Sequence, residues 1–573
     1  MIVGIDLGTT NSLIAAWGEN GPRLIENSLG DMLTPSCVGL DDDGSVLVGR
    51  AARERLQTHP ELTASAFKRF MGSNRQIRLG HRDFRAEELS ALVLRSLRED
   101  AEVFLGQPVT EAIITVPAYF SDAQRKATRT AGELAGLRVE RLLNEPTGAA
   151  LAYGIHRHDS ESRFLVFDLG GGTFDVSVLE IFEGVMEVRA SAGDNWLGGE
   201  DFVASLVDHF FKLNKLPAKL KQHRKFMQRL ATEVEVAKRR LGETAQTTIR
   251  LQHDGHDYSL QLDEALFERL CAPLLARLRT PVERALRDAN LRCHELDNIV
   301  LAGGATRMPI VRRLVTRMFG RFPASNINPE EVVALGAAVQ VGLKMKDVAL
   351  NEVVMTDVTP YSLGIALSIQ IGDNQFSDGH FDPVIERNCA VPISRVKRYF
   401  PAHEKQQLLN LDVFQGEARM VKDNIHLGTL KIPMPSGRIE ECAVDIRFTY
   451  DVNGLLQVEA TALKTGEIFS LLIEDNPGLL SKDEIAARLA ELADLKIHPR
   501  DRMVHRTLLA RAERLYQQLR GEQREWLAMQ ILTFEKLLAA QDAPAIERNR
   551  KTFEEALEYL ECDSFINPPI DPS

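Results

Sequence analysis

Residues 2–14 read IVGIDLGTTNSLI, and residues 165–178 read LVFDLGGGTFDVSV. Each is an apolar, largely β-branched run, then Asp-Leu-Gly leading into threonine, then a second apolar run. That order describes a strand, a tight glycine turn and a returning strand, which is a hairpin. Glycines in such a turn let backbone N–H groups close around phosphate, and threonine hydroxyls add donors. The leading carboxylates, Asp6 and Asp168, stand where a strand ends, suited to holding a hydrated Mg²⁺. One copy alone would equally describe an ordinary hairpin. Two copies predict a duplicated domain with a nucleotide clamped between its halves.

The bulk properties agree with a large soluble protein. The chain has 573 residues, 44% hydrophobic and 26% charged, which is enough apolar material for several cores. A net charge of −12 argues against nucleic acid as the main partner, because phosphate binding wants a basic face. The chain opens directly on a core strand without a secretory signal, and no apolar run is long enough to span a membrane. Cys37, Cys271, Cys293, Cys389, Cys442 and Cys562 are scattered and form no Cys-x-x-Cys pair. They read as reduced thiols of a cytoplasmic protein.

Along the chain the hydrophobic period changes twice. Residues 1–350 alternate strand-like runs with amphipathic helices, for example a strand at Ala112–Val116 before a helix from about Ser121, and a strand at Asn298–Leu301 before a helix from about Pro309. Residues 351–357, NEVVMTD, form an apolar linker that either docks or adds one more edge strand. Residues 358–478 switch to a period of two, with Leu409, Leu411 and Val413, then Val444, Ile446 and Phe448, then Leu456, Val458 and Ala460 after an Asn453-Gly454 turn. That predicts an antiparallel domain whose face is either plain core or a seat for an extended peptide. Residues 479–573 are helical. Ser481 and Glu484 read as a capping box before an apolar stripe of Ile485, Leu489, Leu492 and Leu495. Further helices are expected over 501–519, 522–539 and 543–561, ahead of a loose, proline-broken tail.

Three further features carry chemistry. Ala302-Gly303-Gly304-Ala305-Thr306-Arg307 marks a strand-to-helix turn able to approach a nucleotide closely. Glu235 and Lys238 share a helical face, as an adenosine grip or as a solvated ion pair. Lys68, inside AFKRF, either snorkels to solvent or reaches a γ-phosphate.

At this point the chain resembles the seventy-kilodalton heat-shock chaperones of DnaK type, over about residues 1–560. The carrying stretches are GIDLGTTNS (4–12), AFKRF (66–70), VTEAIITVPAYFSDAQRKAT (109–128), LLNEPTGAALAYG (142–154), FDLGGGTFDVSVLEI (167–181), LGGEDF (197–202), AGGATRMP (302–309), NPEEVVALGAAVQ (328–340), DVTPYSLGI (357–365) and QGEARMVKDNIHLG (415–428). Sugar kinases and actins share only the phosphate hairpins. The resemblance implies an α/β actin-like, duplicated ATPase domain, an antiparallel β-sandwich that binds peptide, and a short α-helical lid.

It further implies ATP or ADP with Mg²⁺ as cofactors. Lys68, Glu145, Asp168, Thr173 and Asp175 would be catalytic, and Asp6 and Asp168 would hold Mg²⁺ through water. Gly8, Thr9, Thr10, Asn11, Gly170, Gly171, Gly172, Gly198, Gly199 and Glu200 would surround the phosphates. Glu235, Lys238, Arg239, Gly303, Gly304, Arg307 and Glu330 would enclose the nucleoside. Pro117 and Arg125 would relay nucleotide state, and Arg141, Asn144 and Asp357 would mark where a J-domain co-chaperone and the docked linker meet. Phe400, Leu409 and Leu411 would line the peptide groove. The implied activity is slow ATP hydrolysis coupled to binding unfolded or specific client polypeptides, by a monomer without nucleic-acid partners.

Several departures stand out. Gly242 replaces a serine that the family offers to adenine. The stretch between Lys68 and the helix near Glu87, and the stretch 242–262, are shortened, so an exchange factor is expected to matter little. The loop 368–383 is long, and Ser368 and His403 fall where an arch would cover the peptide. The linker lacks a leucine run and the lid is short. This pattern is most similar to the specialised bacterial HscC branch. Two other functions fit the phosphate hairpins: a small-molecule kinase of the same superfamily, which needs a second polar pocket, and a co-chaperone that binds ATP without turnover, which the retained Lys68, Asp168, Thr173 and Asp175 argue against.

Overall fold

The computed structural model describes residues 1–41, 43–154, 161–182, 185–324, 328–346, 354–372, 375–401, 406–451, 454–473 and 503–566. Close contacts divide the chain into two compact units. The first holds Met1–Ser362 with Glu386–Val391 and Val452–Gly454; the second holds Leu363–Ile385, Pro392–Asp451 and Leu455–Ser573.

The first unit is built on two sheets with a shared plan. In one, the strands Ile2–Asp6 and Asn11–Gly18 pair antiparallel, and Glu111–Val116 and then Arg138–Asn144 extend the sheet in parallel from the first of them. In the other, Ser162–Leu169 and Phe174–Phe182 form the hairpin, and Asn298–Ala302 runs parallel to its first strand. Both quoted motifs are therefore hairpins at the same place in their sheets. The strand-to-helix transitions also fall as expected. Ser121 precedes the helix Asp122–Leu134, and its N–H donates to Gln124 Oε1 at 3.0 Å. Pro309 opens the helix Pro309–Phe319, where its missing N–H costs nothing.

Two helices, Glu145–Gly154 and Val332–Lys344, cross at small residues: a Cβ on Gly336 would overlap the Gly148 backbone. Parallel strands are covered on both faces, which is why Val3, Ile5, Ile114, Val166 and Phe167 are fully buried. The linker is a strand. Val354–Val358 pairs parallel with Val185–Asp194 and antiparallel with Ala390–Val391, at the margin of the second sheet. Residues 351–353 lie outside the described residues.

The second unit contains two four-stranded antiparallel sheets. Leu411, Val413 and Ile432 from one and Ile446, Phe448 and Val458 from the other are buried between them. One expectation fails here. The stretch 368–383 is not a loop, because the strands Leu363–Gly372 and Gln375–Ile385 continue as one long bulged hairpin. Residues 373–374, His403 and the Ser481–Leu495 capping box and stripe lie outside the described residues. Helices Met503–Gln518, Gly521–Ala540 and Ala543–Ile566 follow, close to the expected spans, around Leu515, Leu527, Phe534, Leu538 and Leu557. Gln541 Nε2 donates to the Val396 carbonyl at 3.1 Å, tying these helices to the sheets.

Candidate functional site

The two hairpin turns meet glycine against threonine. A Cβ on Gly171 would overlap Thr10 Oγ1, and one on Gly172 would come within 2.9 Å of Thr9. The second turn is backed by the helix Gly199–Leu213, whose first amides bind it: Gly199 N–H donates to the Gly170 carbonyl and Glu200 N–H to the Gly171 carbonyl, each at 2.9 Å. A Cβ on Gly198 would sit 2.5 Å from the Gly171 backbone, so the approach requires glycine. Behind the first turn, Ser36 Oγ donates to the Gly8 carbonyl at 2.7 Å.

These turns open onto a cleft of about 770 Å³. It is lined at one end by Asp6, Gly8, Thr9, Thr10, Asn11, Lys68, Glu145, Asp168, Gly170, Gly171 and Thr173, and at the other by Glu200, Glu235, Lys238, Arg239, Gly303, Gly304, Arg307 and Glu330. Nearly all the nucleotide residues expected from sequence thus share one cavity. Gly172, Gly198 and Asp175 support its walls.

At the inner end, Lys68 Nζ donates to Glu145 Oε1 at 2.6 Å, with both side chains buried. Asp168 and Asp175 are directly opposite in the hairpin register, so their carboxylates share a face. Thr115 Oγ1 donates to Asp6 Oδ1 at 2.9 Å, and the Tyr119 amide donates to Asp175 Oδ1 at 3.2 Å. Four carboxylates therefore crowd one ammonium. Burial, then the Glu145 charge, pushes Asp6 and Asp175 each up to about 7. The same causes, followed by Asp175 and Asp6, raise Asp168 well above the ordinary carboxylate range.

This excess of negative charge fits a nucleotide carrying a divalent cation. Asp175 Oδ2 is buried with no hydrogen-bond partner among the described residues, as an acceptor for bound water would be. Among the described residues no three Asp, Glu, His or Cys side chains converge closely enough to ligate a metal directly. Asp6 and Asp168, which the resemblance names for Mg²⁺ through water, both line this end of the cleft.

The outer end is a frame of paired charges. Glu235 accepts from Lys238 at 2.6 Å and from Arg239 at 2.7 Å, while Lys238 also donates to the Gly199 carbonyl. The ion pair is present, and all three of its residues line the cleft, where they could also meet a nucleoside. Arg307 pairs with Glu330 at 2.9 Å and donates to Asn328 Oδ1 at 2.7 Å. Gly303 has φ +80° and packs on the Leu169 backbone, a position closed to side chains. Arg239 and Arg307 keep half-exposed guanidinium groups suited to stacking on a base.

The residues expected to relay nucleotide state lie along one hydrogen-bonded chain. Arg125 donates to the carbonyls of Ala118 and Phe120 and to Asn144 Oδ1, and Asn144 donates to Asp357 of the linker strand. Pro117 begins the turn they hold, since Phe120 N–H donates to its carbonyl. Arg141 does not join: its Nε is buried without a hydrogen-bond partner among the described residues.

In the second unit Phe400 is 56% exposed and Leu409 half-buried, whereas Leu411 is 2% exposed. The alternation read from sequence is right, yet it turns Leu411 into the interior, so Leu411 presents no groove surface. Thr115, Tyr119, Ser36 and Asn328 are site residues that the sequence reading did not single out. Parallel pairing of Ile5 with Ile114 brings Thr115 beside Asp6, a neighbour relation no local pattern encodes.

Comparison with known proteins supplies the last finding. The Hsp70 protein family matches over residues 2–78 and 74–565. The chaperone protein DnaK of Trichormus variabilis is 41% identical over 545 residues, covering 88% of this chain and 77% of that protein. Chaperone protein DnaK 1 of a Synechococcus species is 40% identical over 556 residues, covering 90% and 72%.

Proposed function

This chain belongs to the Hsp70 family, an ATP-dependent chaperone and ATPase, and from that premise we propose how its parts divide the work. Family members join an actin-like ATPase domain to a β-sandwich substrate domain, bind ATP and ADP, generally with Mg²⁺, and are stimulated by J-domain co-chaperones. In our reading, residues 1–350 hydrolyse ATP, 351–357 are the linker, 358–478 hold an extended apolar client segment near Phe400 and Leu409, and 479–573 form the lid.

The cleft supports these roles. Glycine turns and threonines take the phosphates, and the Glu235–Lys238–Arg239 and Arg307–Glu330 frames take the nucleoside. Mg²⁺ supplies charge neutralisation at the phosphates. Lys68, fixed by Glu145, positions the γ-phosphoryl group, while Asp175 orients water from a strand held by Tyr119. Such a site acts through placement and electrostatics, as phosphoryl transfer requires. The observation that carries the reading is the Lys68–Glu145 pair set among three carboxylates with raised pKa values.

No described helix is long and apolar enough to cross a membrane. We propose the HscC branch from the departures at Gly242 and at the two shortened stretches, and a cytoplasmic monomer from the scattered cysteines and from the family. Gly242 lines the cleft, where the glycine offers no hydroxyl to a base, and a serine Cβ there would sit 3.1 Å from the Arg239 carbonyl, a tight contact the neighbouring turn would have to accommodate. ADP should therefore leave fast without a GrpE-type factor, and Gly242→Ser should slow release up to about tenfold in stopped flow. Slow native release, accelerated strongly by that factor, would reject this assignment. The reading as a whole is tested by ATP turnover with and without unfolded peptide: stimulation is expected, and its absence in the presence of a J-domain partner would overturn it.

A further inference from the structure

Lys68 belongs to the cleft, but its neighbour points elsewhere. Arg69 Nη2 donates to Asp201 Oδ2 at 2.6 Å, with side chains 16% and 24% exposed. The two residues come from opposite lobes of the first unit. Arg69 lies in the Phe67–Phe70 turn that packs on the helix Ala86–Leu105 of the first lobe. Asp201 lies in the first turn of the helix Gly199–Leu213, behind the second phosphate turn. The same Asp201 oxygen accepts the Gly198 N–H at 2.8 Å, so this carboxylate holds the wall of the phosphate site while it holds Arg69.

The arginine also lies on that wall. A Cβ on Gly172 would be 3.0 Å from Arg69 Cγ, and Thr9 of the first hairpin touches the same glycine. Arg69 Nε is buried with no hydrogen-bond partner among the described residues, and the Trp196 ring lies 6.0 Å from the guanidinium. Neither Arg69 nor Asp201 lines the cleft. Their place is behind the phosphate wall, where they can position the residues that face the cleft.

We propose that the Arg69–Asp201 pair is an interlobe strut that keeps the phosphate end of the cleft closed and so sets the rate at which ADP leaves. The lobes cannot part at this end without separating the two charges. A mostly buried pair with short geometry resists that far more than an exposed one. Because Asp201 shares its oxygen with the Gly198 amide, displacement of the phosphate wall and loosening of the strut are one event. The proposal rests on the nucleotide reading of the cleft, though it needs only ADP binding and not hydrolysis.

The test uses the full chain as Arg69→Ala, Asp201→Asn and Arg69→Lys. Asp201→Asn keeps an acceptor for Gly198 and removes only the charge, and Arg69→Lys keeps the cation and leaves Asp201 and its Gly198 bond untouched. Release of a pre-bound fluorescent ADP analogue is measured by stopped flow, beside single-turnover cleavage of ATP. Arg69→Ala and Asp201→Asn should release ADP about fivefold to tenfold faster than the native protein with cleavage changed less than about twofold, and Arg69→Lys should return release toward the native rate. Unchanged release in Asp201→Asn would overturn the strut. So would Arg69→Lys releasing as fast as Arg69→Ala, or cleavage that falls in step with release, which would make Arg69 a support for Lys68 alone. A native protein that binds ADP but never cleaves ATP would refute the ATPase reading and still leave the release comparison decisive for the strut.

Discussion

Asn144 Nδ2 donates to Asp357 Oδ2 at 2.9 Å, joining the end of the strand Arg138–Asn144, next to Glu145, to the strand Val354–Val358. The resemblance groups Asp357 with Arg141 and Asn144. The contact runs through the Asn144 amide, whose oxygen accepts from Arg125 at 2.7 Å. Sites in different domains communicate only if a two-state element prefers one arrangement with each ligand. The linker strand has the required partner in its paired state.

Asp357→Asn should therefore leave basal turnover intact and reduce stimulation by peptide and by a J-domain partner. The coupling at stake is about 1–3 kcal/mol, or roughly fivefold to 150-fold. Full stimulation by both partners in this variant would remove the linker from the mechanism.

Lys68→Ala should lower single-turnover hydrolysis by roughly 10²–10³, the usual effect of deleting one placed stabiliser of transition-state charge. It also strands Glu145 in the interior, which should cost about 3–5 kcal/mol of stability. Adding Glu145→Gln should recover much of the melting temperature but none of the turnover. Normal hydrolysis in the single variant would return Lys68 to the role of a structural lysine.

The raised carboxyls predict a pH signature in the nucleotide-free protein. Asp175 has a folded pKa near 7 against an ordinary 3.8, so the fold binds its proton more tightly than the unfolded chain does. Its contribution favours folding below the ordinary value, is lost as pH rises between the two, and is constant above about 7. Asp175→Asn, which retains an acceptor for the Tyr119 amide, should melt higher than the native protein at pH 8, by a margin that shrinks steadily as the pH falls through 5 toward 4. Mg²⁺–ATP should raise the native melting temperature more at pH 8 than at pH 5. Equal melting of the two proteins across this range would contradict the crowding described for the inner end.

Leu409→Trp tests the client site. Leu409 shares a face with the buried Leu411 and Ile432 but is itself only half-buried, so a larger ring has room on its open side. Affinity for a panel of fluorescent apolar peptides should fall about tenfold with melting unchanged. Unaltered affinity would move the groove elsewhere in the second unit.

What could be read in advance was what local chemistry encodes. Asp-Leu-Gly followed by threonine specifies a turn whoever its neighbours are, so both hairpins, and even the opposition of Asp168 to Asp175, follow from the sequence. Thr115 beside Asp6 and Arg69 against Asp201 depend on which strands and lobes the chain brings together, and no periodicity reports that. The long hairpin after Leu363 was hidden for another reason. Register shifts interrupt its alternation, and Gly379 at φ +78° looks like a turn though it lies within a strand. Leu411 shows the complementary failure: alternation reveals which residues share a face, but not whether that face meets solvent.

The linker strand has one more consequence. When Val354–Val358 lies between Val185–Asp194 and Ala390–Val391, the second sheet presents no bare row of N–H and C=O groups along Val185–Glu187. Withdrawing it uncovers that row beside the exposed Val185 and Phe182. An uncovered strand margin is a template for any extended chain, including another copy of this protein. The segment proposed to carry the signal would therefore also guard against self-association, and a protein that spent too long with this strand free would be exposed to the misassembly that chaperones exist to prevent.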